Sequence, residues 1–321
     1  MTGLLRLLRT TVTISARCFC FVTLLALPCS NVWAQEKIRV GVGVTSEFLT
    51  FFMAADHDLF AKQGLVVEPV PMAGSASSNQ IAALLSGSIS ILANSAPTLI
   101  QSADSGLPVV AISNGSVLPT SGNLGIVARK GSGIVKPGDL AGKRVAVSGL
   151  NSITHFAARN WLKENGVDDK SIKWVEVLAP QMIDMMKSAQ FDAAVMFDPF
   201  SSVAREQGVG DDLGQIYERT PAGTSLAVYI ATTDWAKRNS SQLAKFRAAL
   251  AEGMALANSN RPAATESLAK NTKLPPQALK LIGMPNLQTK LSAENLSWWV
   301  KVLDDQGVLT TKVAPDKLIA P

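Results

Sequence analysis

From Lys37 onward the apolar positions keep changing period. Ile38, Val40, Val42 and Val44 alternate with other residues, which predicts a strand over Lys37–Val44. A short loop, Thr45–Phe48, leads into an apolar segment that predicts a helix over Leu49–Gln63, with Gly64 placed to end it. The alternation then recurs. Strands are expected at Leu65–Pro71, Ser88–Ala93 and Pro108–Asn114, a Ser/Gly turn at Gly74–Asn79, and helices at Gln80–Ser86 and Pro97–Ser105.

A second round follows Gly122. Strands are expected at Leu124–Arg129, Arg144–Ser148, Ile172–Leu178, Ala193–Phe197 and Leu226–Thr232. Helices are expected at Ser152–Asn165, Pro180–Ser188 and Pro199–Gln207, with one turn at Pro137–Ala141. After Asp234 the pattern is helical only: Ser240–Ser259, Pro262–Lys270, Pro275–Ile282 and Ala293–Gln306. Strands separated by helices favour parallel pairing through right-handed crossovers. The expectation is an α/β protein of two lobes, each a mostly parallel sheet flanked by helices, with a helical C-terminal tail packed back on the first lobe. Residues 35–123 plus 228–321 would form lobe one and 124–227 lobe two, with hinge crossings near Gly122–Leu124 and Gly223–Val228.

The first 34 residues differ from the rest. Arg6, Arg9 and Arg17 precede an apolar run, Cys18–Leu27, and Val32-Trp33-Ala34 presents small residues at −3 and −1 of a cleavage site. This is the pattern of a secretory signal cut after Ala34, and Pro28 ahead of Cys29 argues against a lipoprotein. The cut alters the composition. Of 321 residues 287 remain, and 27 basic residues then face 25 acidic ones, so the net charge falls from +5 to +2. All three cysteines leave with the signal, which excludes disulfides, thiolate nucleophiles and thiolate metal sites from the mature chain. A near-neutral charge gives no reason to expect a nucleic-acid partner.

Several segments together resemble a known family. They are Asp58-Leu59-Phe60-Ala61-Lys62-Gln63-Gly64-Leu65, Ala82-Ala83-Leu84-Leu85-Ser86-Gly87, Gly138-Asp139-Leu140-Ala141-Gly142-Lys143-Arg144-Val145, and Phe191-Asp192-Ala193-Ala194-Val195 leading to Asp198-Pro199-Phe200. In this order they resemble the extracytoplasmic solute-binding proteins of ABC importers, in the branch covering nitrate, sulfonate, taurine and thiamine-pyrimidine ligands. One departure is visible: Gly87-Ser88-Ile89-Ser90 stands where the family often has Gly-x-x-Asp. The resemblance implies the type II periplasmic-binding fold and a periplasmic monomer. It also implies a small-molecule ligand held between hinged lobes and an ABC permease with its ATPase as partners.

Ligands of open parallel sheets bind beyond the carboxyl ends of the strands, where helix N-termini point free N–H groups. The candidates are therefore Ser46, Glu47 and Phe48 after the first strand, Asn94 and Ser95, then Asn114. In the second round they are Asn151, Ser152, Ile153 and Thr154, with Asp198 and Phe200. These loops hold no Arg or Lys, which leans towards a neutral, polar or amine-bearing ligand rather than one held by a guanidinium fork. Simple N-capping is the competing role for Ser95, Ser152, Thr154 and Asp198.

Other signals are weak. Gly41-Val42-Gly43 lacks the third glycine of a dinucleotide loop, and no Gly-x-Ser-x-Gly elbow occurs. Two separated histidines, His57 and His155, make a poor metal site. No catalytic residue, metal or cofactor is expected. The competing functions are a sensor that feeds a membrane receptor, or an enzyme related to thiamine-pyrimidine synthesis, whose cysteine-rich iron motif the mature chain lacks.

Overall fold

The computed structural model describes residues 37–72, 77–119, 124–272, 276–281 and 283–321. The expected secretory signal with its cleavage site, and Gly122 of an expected hinge crossing, lie outside them. Eleven strands are described: β1 Ile38–Val42, β2 Val67–Pro71, β3 Ile91–Ser95, β4 Val109–Val117, β5 Leu124–Arg129, β6 Arg144–Val147, β7 Lys173–Glu176, β8 Ala193–Phe197, β9 Gly210–Gln215, β10 Ser225–Thr232 and β11 Asn286–Leu287. Helices α1 Leu49–Asp56, α2 Leu59–Lys62, α3 Ser77–Leu85 and α4 Ala96–Asp104 belong to the first round. Helices α5 Ile153–Glu164, α6 Ala179–Lys187 and α7 Phe200–Glu206 belong to the second. Then come α8 Thr233–Arg238, α9 Ser240–Ser259, α10 Arg261–Thr272, α11 Pro276–Leu281 and α12 Ala293–Asp305.

The strands form two sheets, in the order β11-β4-β10-β3-β1-β2 and β7-β6-β8-β5-β9. Each is mixed rather than simply parallel. β1 pairs in parallel with β2 and β3, but β10 runs antiparallel between β3 and β4. In the second sheet β6 pairs in parallel with β7 and β8, while β5 runs antiparallel to both β8 and β9. The reason is connectivity: the chain enters the second sheet through β5 and re-enters the first through β10, and among the described residues no crossover helix precedes either.

Local chemistry explains where the expected elements shift. The helix expected over Leu49–Gln63 is two helices, because Asp58 takes a left-handed conformation (φ 56°) between α1 and α2. The expected Ser/Gly turn is helical from Ser77 onward. β9, Gly-Asp-Asp-Leu-Gly-Gln, carries no apolar alternation and was not expected. It is an edge strand held by its backbone pairing with β5. Gly64 (φ 69°) and Gly166 (φ 72°) do end their helices as left-handed residues.

β4 is buried along its whole length and β10 over all but its last residue. One face of the first sheet is covered by α1 and α9, with Phe51, Phe60, Tyr229 and Phe246 packed together. The other is covered by α4 and α12, and this apolar cluster continues through Phe156 and Trp161 of α5 into the second sheet. Trp299 at its centre is 0% exposed and donates from Nε1 to the Ser225 carbonyl at 2.7 Å. No helix among the described residues is long and apolar enough to cross a membrane.

α9 approaches α1 closely at Gly253, where a Cβ would lie 2.5 Å from the Thr50 carbonyl oxygen and 3.1 Å from Ala54 N. Alanine is the better helix former by about 1 kcal/mol. Overpacking against fixed backbone costs roughly 1–3 kcal/mol, and it wins here because neither neighbour is a flexible side chain. Gly253→Ala should therefore lower the chemical-denaturation midpoint; a raised midpoint would mean that α1 and α9 separate freely.

Candidate ligand-binding site

A cavity of about 380 Å³ lies where the two sheets meet. Every sheet element that reaches it does so with the end that strand direction dictates. From the first sheet come Gly43 and Thr45–Phe48 after β1, Ser77 and Gln80 after β2, and Ala93–Ser95 at the end of β3. The antiparallel β10 contributes its amino end, Leu226 and Ala227. From the second sheet come Ser148 and Ser152–Thr154 after β6, Phe197 and Asp198 after β8, and Tyr217 after β9. The antiparallel β5 contributes its first residue, Leu124. Gly283 completes the wall.

Of the candidates, the structure brings Ser46, Glu47, Phe48, Asn94, Ser95, Ser152, Ile153, Thr154 and Asp198 to this cavity and leaves three elsewhere. Asn114 was placed just beyond a strand, but β4 continues to Val117, so Asn114 is internal to the sheet and 0% exposed. Its Oδ1 accepts from Ser225 Oγ at 2.9 Å and its Nδ2 donates to the Lys290 carbonyl. Asn151 adopts φ 58° and turns its backbone N–H onto His155 Nδ1. Phe200 opens α7 and meets Phe197 edge-on at 5.7 Å; Phe197 lines the cavity and Phe200 does not.

Much of the polar lining is tied into the protein. Ser95 Oγ accepts from Thr98 N, capping α4, and Ser152 Oγ accepts from His155 N, capping α5. Asn94 Oδ1 accepts from Ser95 N at 2.6 Å, and its amide donates to Gln80 Oε1 at 2.6 Å. Ser148, Ser152 and Thr154 share their hydroxyls, at 3.1 Å and 2.9 Å from Thr154 Oγ1. Asp198 Oδ1 accepts from Ser202 N at 3.2 Å, Ser202 Oγ at 2.7 Å and Ser201 Oγ, so its carboxylate also serves the start of α7.

Two lining groups stand apart. Glu47, half-buried, has no hydrogen-bond or ion-pair partner among the described residues. Tyr217, also half-buried, has its phenol pushed up by burial and by the Glu47 carboxylate, so it remains a protonated donor. Among the described residues no Lys, Arg or His lines the cavity. The basic pair Lys143-Arg144 stands at the amino end of β6, away from the cavity, where Arg144 meets Asp192 at 3.7 Å. Ser88 and Ser90, at the family departure, precede the amino end of β3 and so also sit away from it.

Sequence reasoning missed Leu124 and Leu226 because it took strands to present only their carboxyl ends. It missed Tyr217 because β9 carries no strand pattern. Ser148 and Phe197 were findable: each ends or follows an expected strand.

The profile of the NMT1/THI5-like family matches residues 45–264, more than half of the chain. The chain belongs to that family. Solved structures with the same fold include the periplasmic aliphatic sulphonate binding protein SsuA from Escherichia coli. It is 22% identical, with 89% of this chain and 97% of that one covered and a TM-score of 0.73. The alkanesulfonate-binding SsuA from Xanthomonas axonopodis pv. citri, bound to MOPS, is 18% identical (88% and 97% covered, TM-score 0.73). The periplasmic nitrate-binding protein NrtA from Synechocystis PCC 6803 is 15% identical (88% and 84% covered, TM-score 0.69). No curated protein sequence matches the chain. At these identities the likeness establishes the periplasmic-binding-protein fold, and these neighbours are named as binding proteins rather than enzymes.

His155, beside the lining but not in it, is 6% exposed. Its Nδ1 accepts from Asn151 N at 3.0 Å, which leaves the proton on Nε2, a buried atom without a partner. Burial first, then the nearby Arg159 charge, push its pKa down from 6.5 to about 4. Between those values the unfolded chain binds a proton that the folded protein refuses, so stability is lost as pH falls through this window, by at most about 1.4 kcal/mol per pH unit. His155→Asn, which keeps an acceptor for Asn151, should flatten the decline in Tm between pH 6.5 and 4. Parallel Tm profiles would show that another group is responsible.

Proposed function

We propose that this protein is the extracytoplasmic solute-binding component of an ABC importer, capturing a small organic molecule between two hinged lobes and delivering it to a permease. The observation that carries this reading is the cavity itself, built jointly by the strand ends of two sheets that only two chain passages connect. A site divided in this way is completed when its halves approach, and hinge closure around ligands is the established behaviour of such architectures. The sulfonate- and nitrate-binding neighbours and the secretory pattern of residues 1–34 support the same reading.

In this reading residues 35–123 plus 228–321 form lobe one and 124–227 lobe two, and the mature protein is a periplasmic monomer without catalytic residues or cofactor. The ligand touches the nine expected residues that line the cavity, together with Leu124, Phe197 and Tyr217.

Protein purified from its native host should carry its ligand, identifiable by mass spectrometry after denaturation. Readdition to refolded protein at about 100 times Kd should add roughly 2.7 kcal/mol of stability and shrink the radius of gyration in solution scattering. If nothing is carried, and no extract fraction stabilises or compacts the protein, the solute-binding reading fails.

A further inference from the structure

The cavity's charges point to the class of molecule it holds. Among its described lining residues the ionisable carboxylates are Glu47 and Asp198, and none of those lining residues is Lys, Arg or His. Asp198 is engaged by Ser201, Ser202 and the first turn of α7. Glu47 is different. It lies in the turn ahead of α1, yet α1 begins without any side-chain cap, so the carboxylate does not serve that helix as Asp198 serves α7. It sits at the junction of the two sheets, close enough to Tyr217 to raise the phenol, with no hydrogen-bond or ion-pair partner among the described residues.

A half-buried carboxylate on a cavity wall loses its remaining water when a ligand fills the cavity, and then needs a partner. Three aromatic residues, Phe48, Phe197 and Tyr217, line the same cavity and supply no counter-charge. Aromatic faces and a carboxylate are complementary to one kind of group, an organic cation, through ring quadrupole and charge together. We propose that the ligand carries a protonated amine, paired with Glu47 and flanked by these rings. The proposal rests on the solute-binding reading of the same cavity and deepens it. Asp198 adds long-range attraction, and Tyr217, as a protonated donor, can donate its O–H to a ligand oxygen where there is one.

Electrostatics set the contrast with the anions named for the structural neighbours. At an effective dielectric of about 20, a unit negative charge some 6 Å from an unneutralised carboxylate binds roughly a hundredfold more weakly than a neutral analogue. The helix N-termini at α4 and α5 offset this only in part. Pro97 lacks an N–H in α4, and Thr98 N and His155 N are already taken by Ser95 and Ser152.

The test uses the mature protein, unfolded and refolded to strip any carried ligand, with three probes of similar size: phenethylammonium, 2-phenylethanol and phenylmethanesulfonate. Calorimetric titration at pH 7 should rank them in that order. Glu47→Gln should weaken the ammonium by at least about tenfold while leaving the alcohol within about threefold. Tighter binding of the sulfonate than of the ammonium by the wild type overturns the proposal, as does an unchanged ammonium affinity in Glu47→Gln or failure of the ammonium to bind at all. The wild-type ranking decides the matter if the variant does not fold. A sulfonate that binds and compacts the protein would overturn the amine while leaving the solute-binding reading in place; only the absence of any carried or stabilising solute removes both.

Discussion

The strand that holds the first sheet together is supplied by the chain after it has already built the second. β10 runs antiparallel between β3 and β4, with partners running from Ala227↔Ser95 to Ile230↔Leu92 on one side and from Ser225↔Val117 to Thr232↔Val109 on the other. Without it, β3 and β4 would present unpaired edges in the middle of the sheet, and buried backbone N–H and C=O groups must be paired. Its side chains meet both apolar layers: Val228 and Ile230 join the cluster around Trp299, whereas Ala227 and Tyr229 join the one around Phe246. Tyr229 also closes a buried hydrogen bond, its hydroxyl 2.8 Å from Thr50 Oγ1. β4 therefore joins β3, β1 and β2 only when the chain through residue 232 has been made, and the edge strand β11 follows later still.

This constraint shapes the cavity. Because β10 runs against its neighbours, its amino end lies beside the carboxyl end of β3, and Leu226 and Ala227 face the same space as Asn94 and Ser95. β5 does the same in the second sheet, setting Leu124 beside Phe197 and Asp198. The parallel strands bring polar loops and helix caps; the antiparallel strands bring apolar residues. A cavity walled by rings and aliphatic side chains and rimmed by hydroxyls and amides is the usual composition of a small-molecule site. Here the amides and most hydroxyls already hold the loops in shape, so the chemistry left to distinguish ligands is concentrated in Glu47 and Tyr217.

How far the sequence reached follows from the same geometry. Periodicity locates β1, β5, β8 and α9 nearly to the residue, because each carries a regular apolar pattern. Strand-end reasoning then finds Ser46, Glu47, Phe48, Asn94, Ser95, Ser152, Ile153, Thr154 and Asp198 at the cavity. It misplaces Asn114 because a polar residue inside a fully buried strand looks like a strand's end; only the partners Ser225 and Lys290 explain why it can be buried. It misses β9 since Gly-Asp-Asp-Leu-Gly-Gln is held by pairing at a sheet edge rather than by burial. Strand direction is a tertiary property, so the contributions of Leu124 and Leu226 could not be read from local pattern at all.

The two passages between the sheets are not independent tethers. Leu118 N donates to the Thr224 carbonyl at 2.9 Å and Gly223 N donates to the Leu118 carbonyl at 2.6 Å, so the outgoing and returning segments form one short ladder. α12 fixes that ladder from the first-sheet side: Asn295 Nδ2 donates to the Gly223 carbonyl at 2.6 Å, and Trp299 holds Ser225. The same helix reaches α5 through Gln306, which donates to the Phe156 carbonyl at 2.9 Å, and through Asp305, paired with Lys163 at 3.1 Å. The ion pair is exposed and worth about 0–1 kcal/mol; the continuous apolar cluster beneath it is the stronger tie. In the proposed closure the ladder is the segment on which the sheets would turn. Leu226 and Ala227 lie immediately beyond it in β10, so the backbone that links the sheets and the backbone that lines the cavity are one segment.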